Sequence, residues 1–422
     1  MFTGLSLDQA PPFKAPLKFF LSAPIFAVLA CLSLLFSNNI ELHSPAFISS
    51  IHLLTIGYII VVIFGALLQM LPVVAGAIMP KPLLVANTTY VFLILGLLSF
   101  SYAFFFYEKI AFFISATFLI IALLLFSSIA LYKLLQVQKK SYIVLGMIFS
   151  LIFFILAFLL GIHLLISHAT GNISELHLVF TSLHYNFIFF GFVFTLIVAI
   201  TFQVVPMFWV ASAFSDKSQR VIIFTIVGLL VFFTINQFLQ LGFDIIYKIA
   251  MIIISLYFAI ITIKKLKNRK RKLQDFTVNF FLTSIISLIL ALVYWLMMEF
   301  LELSFIPLGV LFGIGFIISL MNGMLYKIIP FLSWFHLSSR GVFDMPTMRD
   351  MIPQKMQAIQ FKIHIVSLVM MFFAFNLDII VFIKISILLF MVSNILLFIN
   401  IYKVAKFFKE KDANITANSQ TN

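Results

Sequence analysis

Hydrophobic positions in this chain form long continuous runs that are separated by short polar segments. Each run has about 20 or more residues, and an α-helix of that length crosses roughly 30 Å of hydrocarbon. No segment shows the apolar–polar alternation that is typical of a membrane β-barrel strand. Because backbone polar groups must be paired inside lipid, the pattern predicts an all-α, polytopic membrane bundle of about 12 transmembrane helices. The predicted spans are residues 16–37, 46–79, 83–106, 110–132, 142–166, 178–212, 221–241, 245–263, 277–298, 306–331, 359–377 and 379–402.

Composition agrees with a chain that lies almost wholly in the lipid bilayer. Hydrophobic residues make up 63% of the 422 positions and charged residues only 10%, whereas a soluble globular chain is nearer one quarter charged. The connections between the runs are too short for a soluble domain, so we predict a single integral membrane domain over residues 1–422. The one cysteine, Cys31, excludes a disulfide within the chain and a thiolate metal cluster.

Basic residues are distributed unevenly between the two sets of connections. Of the 27 lysines and arginines, 24 fall on the side of the N-terminus; the exceptions are Lys109, Lys248 and Lys384. Positive loops stay in the cytoplasm during insertion, so both termini are predicted to be cytoplasmic in a bacterial-type inner membrane. The basic run at 264–272 could also indicate nucleic-acid binding, but a topology anchor that touches anionic lipid is the favoured interpretation, and we expect no nucleic-acid partner.

Three of the predicted spans share an internal pattern of small, polar and proline residues. The second contains GYIIVVIFGALLQMLP, the sixth GFVFTLIVAITFQVVP and the tenth GFIISLMNGMLYKIIP. This pattern predicts three four-helix pseudo-repeats, at approximately 16–132, 142–263 and 277–402, with these spans as an inner ring. The positions in common register are Gly57, Gly191 and Gly315; Gly65, Ala199 and Gly323; Gln69, Gln203 and Lys327; and Pro72, Pro206 and Pro330.

Histidines are the main candidates for chemistry. His52 and His184 begin two of the repeated spans, and ionisable groups at such positions are often functional. Neutral imidazole binds iron, copper and zinc. We therefore predict cofactor binding by His52, His184 and His163, and metal ligation by His184 with His177, which lies seven residues earlier. The alternative for His163 is a hydrogen bond between helices. The alternative for His177 is a position in a solvated loop, without a ligand role. The other histidines, expected in outer loops or at the cytoplasmic interface, are His43, His168, His336 and His364.

The second span, HLLTIGYIIVVIFGALLQMLPVVAGA, resembles a helix of the catalytic subunit of haem–copper oxidases, especially the nitric oxide reductase and cbb3-type branch. In that family the helix begins with a haem-ligating histidine and continues with a Gly-Ala pair and a proline. The matching residues are His52, Gly65-Ala66 and Pro72, and His184 corresponds to a copper-ligating histidine. The resemblance implies haem or copper as cofactor, and a redox partner or accessory subunit besides the lipid bilayer. Membrane haem- and copper-binding proteins of the nitric oxide response are a looser match.

The chain departs from this family where the family places its other ligands. Residues 219–241 contain no histidine, and the tenth span has Leu308 and Val310 where a ligand would stand. The family's centre takes about six imidazoles, so we predict one haem or one metal at most, without oxygen or nitric oxide reduction. Two other functions stay open. One is a secondary transporter (permease) without a prosthetic group, and the other is a structural or assembly protein.

Overall fold

A computed structural model describes residues 11–37, 40–270, 272 and 275–420. It confirms the all-α membrane class, since these residues form twelve helices long and apolar enough to cross a membrane and contain no strand. The helices are α1 (Lys14–Leu35), α2 (Pro45–Ala75), α3 (Pro82–Phe106), α4 (Lys109–Leu135), α5 (Tyr142–Thr170), α6 (His177–Trp209), α7 (Asp216–Leu239), α8 (Asp244–Lys267), α9 (Phe276–Met297), α10 (Phe305–Ser338), α11 (Gln354–Asn376) and α12 (Ile380–Gln420).

Some helix bounds differ from the prediction, most of all the ends of α10 and α12. Helix α10 continues through Pro330 to Ser338, whereas the segment after residue 331 was expected to be a loop or a surface helix. Leu332, Ser333 and Leu337 are buried along this extension, so packing of its inner face keeps it helical. Helix α11 begins at Gln354, five residues earlier than predicted, because its polar first turns are also packed inside the protein.

The chain folds as two compact units. The central unit is Leu67–Leu273, and the terminal unit combines Pro11–Ala66 with Gln274–Asn422. Helices α3 to α8 belong to the central unit, and α1 and α9 to α12 to the terminal unit. The boundary falls within α2, whose first part is counted with the terminal unit.

Adjacent helices pack at the small residues of the repeated pattern. In the central unit, Gly191 of α6 faces α5, and a Cβ added there would lie 2.6 Å from Phe153 Cβ. In the terminal unit, Gly315 of α10 faces α9, and the corresponding distance to Ser287 Cβ is 2.7 Å. Glycine at these two positions therefore sets how closely the helices approach.

The same register recurs further along both helix pairs. Ala199 lies eight residues after Gly191 and contacts Gly146, which is seven residues before Phe153 on α5. In the same way, Gly323 lies eight residues after Gly315 and contacts Phe280, which is seven residues before Ser287 on α9. In α2 the matching Gly65 packs against α1, where an added Cβ would lie 2.8 Å from a ring carbon of Phe20. The sequence pattern is thus a packing register of neighbouring helices. Its extension to three repeats around one axis stays a prediction.

Each of the three repeated helices also contains a π-helical segment around the first glycine of the repeated pattern. These segments are Thr55–Ile60, Phe187–Phe194 and Val310–Ile318. A π turn shifts the backbone pairing by one residue. In two of them a hydroxyl follows, and Thr195 and Ser319 donate to carbonyls five residues earlier. A fourth π segment lies in α4, at Ile120–Leu124.

Candidate functional site

His184 occupies a socket formed by two residues of the neighbouring helix. It lies in the second turn of α6, and its Nδ1 is 2.8 Å from the carbonyl oxygen of Ala157 on α5. One turn further along α5, a Cβ added to Gly161 would lie 2.7 Å from His184 Cε1. The two α5 residues are four apart and share one helix face, so the carbonyl and the glycine notch together fix the imidazole.

This hydrogen bond determines the chemistry that remains to the imidazole. An Nδ1–H that donates to a carbonyl leaves the lone pair on Nε2. Among the described residues no donor or acceptor pairs with Nε2 of His184. Metal-binding histidines in proteins usually have this arrangement, because the hydrogen bond orients the ring and strengthens the other nitrogen as a ligand.

Three further histidines lie where α5 ends and α6 begins. His177 is seven residues before His184 on α6, and its Nδ1 is buried without a hydrogen-bond partner. His168 of α5 is exposed and contacts Phe104 edge-on. His163 is exposed on α5 and contacts Phe180 edge-on at 5.0 Å. The part of the chain that the structure describes contains no group of three or more His, Cys, Asp or Glu side chains placed to hold a metal ion.

His52 lies in the terminal unit, near the end of the first α-helical segment of α2. Its Nδ1 is 2.8 Å from the carbonyl oxygen of Ile48, one turn earlier on the same helix. His184, His163 and His177 belong to the central unit. The predicted binding of one cofactor by His52 together with His184 therefore stays a prediction.

His364, which was expected at the cytoplasmic interface, is buried inside the protein. The residue is 0% exposed, and its Nε2 is 2.7 Å from the hydroxyl of Ser319 on α10. Because α11 begins at Gln354, His364 lies almost three turns inside the helix. Two other histidines are at the edges of the fold. His336 stacks on Phe13 at the end of α10, and His43 is exposed before α2.

Two polar side chains away from the histidines, those of Asn236 and Lys327, have structural roles. Asn236 caps the turn into α8, where its side chain accepts from the backbone of Phe243. Lys327, at the glutamine position of the repeat, forms an ion pair with Asp275 at 2.6 Å. Burial raises the pKa of Asp275, but the Lys327 charge and the hydrogen bonds from Lys327 and Thr277 together hold it below its usual value.

No protein-family model matches this sequence, and no curated protein sequence matches it significantly.

Proposed function

We propose that this membrane protein binds one haem, or one metal ion, through Nε2 of His184 and has a redox or nitric oxide-related role. The observation that carries the proposal is the oriented imidazole, with Nδ1 tied to Ala157 and Nε2 without a partner in the described structure. An imidazole-bound haem supplies an iron centre that can exchange an electron or bind a small gas.

The residues around His184 fit a single-ligand centre better than a multi-imidazole copper site. The Ala157 carbonyl orients the ring, and Gly161 leaves room for it against α5. A metal held by three protein ligands would need a cluster that the described residues do not form. We therefore propose haem before copper, with His184 as the residue that would hold it.

The same ligand inventory supports a protein that does not reduce oxygen or nitric oxide. Such reduction by the haem–copper mechanism requires a second metal held by several imidazoles beside the haem. Purified, reduced protein should consume neither gas, and its iron-to-protein ratio should not exceed one haem per chain. Fast turnover, or two haems per chain, would contradict this part of the proposal.

The direct test is an absorption spectrum of purified protein, before and after titration with haemin, together with its iron and copper content. His184→Ala should lose the haem band, because the variant lacks the ligand nitrogen. His168→Ala is the matched control, since it removes an exposed imidazole of the same unit and should leave the band unchanged. An unchanged band in His184→Ala would remove this residue from the site.

Secondary transport is the second candidate, and the π-helical segments of α2, α6 and α10 favour it. Transporters place interrupted helices around their substrate sites, and these three helices each depart from α-helical pairing near a glycine of the repeated pattern. Wild-type protein that is isolated without iron or copper, and that does not bind haemin, would favour this candidate over the first.

A further inference from the structure

Three helices of the terminal unit carry buried polar stripes. In α10 the stripe has residues spaced by three, four and seven, so they share one face. The stripe in α11 follows similar helical spacing, and in α12 buried polar residues recur every seven positions. The residues are Ser319, Asn322, Tyr326 and Ser333 of α10; Gln357, Gln360, His364 and Ser367 of α11; and Ser386, Ser393, Asn394 and Asn400 of α12. We call this set the polar row.

Hydrogen bonds between helices show that the three stripes face one another. Tyr326 of α10 accepts from the amide of Asn400 of α12 at 2.8 Å. Gln360 of α11 donates to Ser393 of α12 at 2.9 Å. One turn further along α11, His364 pairs with Ser319 of α10. The polar row therefore continues from the start of α11 to at least His364.

These contacts satisfy only part of the hydrogen-bonding capacity of the row. Tyr58 of α2 donates to the amide oxygen of Asn322, but the Asn322 Nδ2 has no partner. Both donors and acceptors remain unpaired, and every one belongs to a side chain that is more than nine-tenths buried. The unpaired atoms in the polar row are Asn322 Nδ2, Ser333 Oγ, Gln357 Oε1, Gln360 Oε1, His364 Nδ1, Asn394 Oδ1 and Asn400 Oδ1.

We propose that the polar row binds a chain of internal water molecules that leads from the level of Gln357 and Asn400 to the imidazole of His364. Water is the occupant that matches the chemistry, because it both donates and accepts, and buried water characteristically pairs with otherwise unsatisfied polar groups. A bare cation would be matched by carboxylates, and the polar row contains none. Such a chain would connect His364 by continuous hydrogen bonds to the region around the start of α11, so that a proton could move between them.

This inference does not depend on the proposed function. The polar row lies in the terminal unit, whereas His184 and its socket lie in the central unit. Loss of haem binding in a His184 variant would therefore neither support nor contradict the water chain. The two proposals are tested on different residues and by different signals.

Radiolytic hydroxyl labelling of the full-length protein, read by mass spectrometry, tests the water chain. Short X-ray exposure creates hydroxyl radicals from bound water, and these oxidise side chains beside it. His364 and Tyr326 should be labelled although both are buried, whereas Phe19 and Phe20, buried in the same unit, should stay unlabelled. Labelling of His364 and Tyr326 no greater than that of Phe19 and Phe20 would overturn the proposal.

A variant makes the test specific to the polar row. Gln360→Leu removes two polar atoms at nearly constant size and should lower His364 labelling several-fold. The control Ser22→Ala removes a buried hydroxyl of the same unit that bonds only within α1, and it should leave His364 labelling unchanged. Equal labelling of His364 in both variants would contradict the proposal. The labelling of unmodified protein decides the question if Gln360→Leu fails to fold.

Discussion

At the scale of single residues, the socket of His184 depends on an absent side chain. Gly161 has no Cβ, so the imidazole lies against the backbone of α5 and still reaches the Ala157 carbonyl. A methyl group at Gly161 would overlap the ring, and α5 or His184 would have to move. The orientation of the His184 imidazole, which belongs to α6, is therefore determined by residues of α5.

Gly161→Ala should displace the imidazole and weaken cofactor binding. Overpacking of a filled interface costs about 1–3 kcal/mol, so we also expect a lower melting temperature. Gly228→Ala is the control, because nothing lies within 4 Å of the added Cβ and alanine favours the helix by about 1 kcal/mol. The haemin titration and thermal unfolding of both variants provide the measurement. Wild-type haemin affinity in Gly161→Ala would contradict the socket.

At the scale of helices, close approach and π turns coincide. Gly191 and Gly315 lie inside π segments and at close contacts of their helix pairs. A π turn widens the helix and redirects the side chains that follow. Helix α10 offers an internal comparison, because Gly313 shares the π segment with Gly315 but has nothing within 4 Å of its Cβ position.

Gly315→Ala should destabilise the protein, whereas Gly313→Ala should be neutral or stabilising. The new methyl group at position 315 meets Ser287 Cβ at 2.7 Å and Leu368 at 3.3 Å, so the helices must separate at a cost of about 1–3 kcal/mol. Both substitutions change backbone entropy in the same segment, so their difference reports packing alone. Equal melting temperatures would show that α9 and α10 are not held at this contact.

The stabilisation of the α9–α10 contact by the ion pair between Asp275 and Lys327 should be lost at low pH. The pKa of Asp275 is lowered in the folded protein, so its contribution is present above the ordinary carboxylate pKa and is lost as pH falls through the lowered value. Asp275→Asn should cost about 1–3 kcal/mol at neutral pH through loss of the ion pair, because asparagine can still cap the helix. Thermal unfolding from pH 7 to pH 3 should show the variant's deficit shrinking below about pH 4. A deficit that does not change with pH would contradict the ionised pair.

At the scale of the whole molecule, charge predicts orientation. Both termini should be cytoplasmic, since 24 of 27 basic residues fall on one set of connections. A fluorescent-protein fusion after Asn422 should fluoresce, and an alkaline phosphatase fusion there should be inactive. The same reporters placed in the connection near Asn172 should give the opposite result. Active phosphatase at the C-terminus would reverse the topology.

The sequence predicted the membrane class and all twelve helices because run length and hydrophobicity decide both. It missed features that depend on neighbours. The burial of the polar residues of α11 was not predicted, because it depends on α10 and α12, which face them with polar stripes of their own. The spacing of Gln357, Gln360, His364 and Ser367 on one face was the available signal. The socket of His184 was equally hidden, since Gly161 is just one small residue in a long apolar span.

The division of the chain also determines when its parts can be assembled. The terminal unit joins Pro11–Ala66 to Gln274–Asn422, so the ribosome makes about 200 residues of the central unit before the terminal unit can be completed. At about 5–20 residues per second this interval is roughly 10–40 s. Asp412, which pairs with Lys14 of α1 and Arg340 after α10, is translated later still. Helix α1 and the first part of α2 therefore enter the membrane before α9 to α12, the other helices of their unit, have been synthesised.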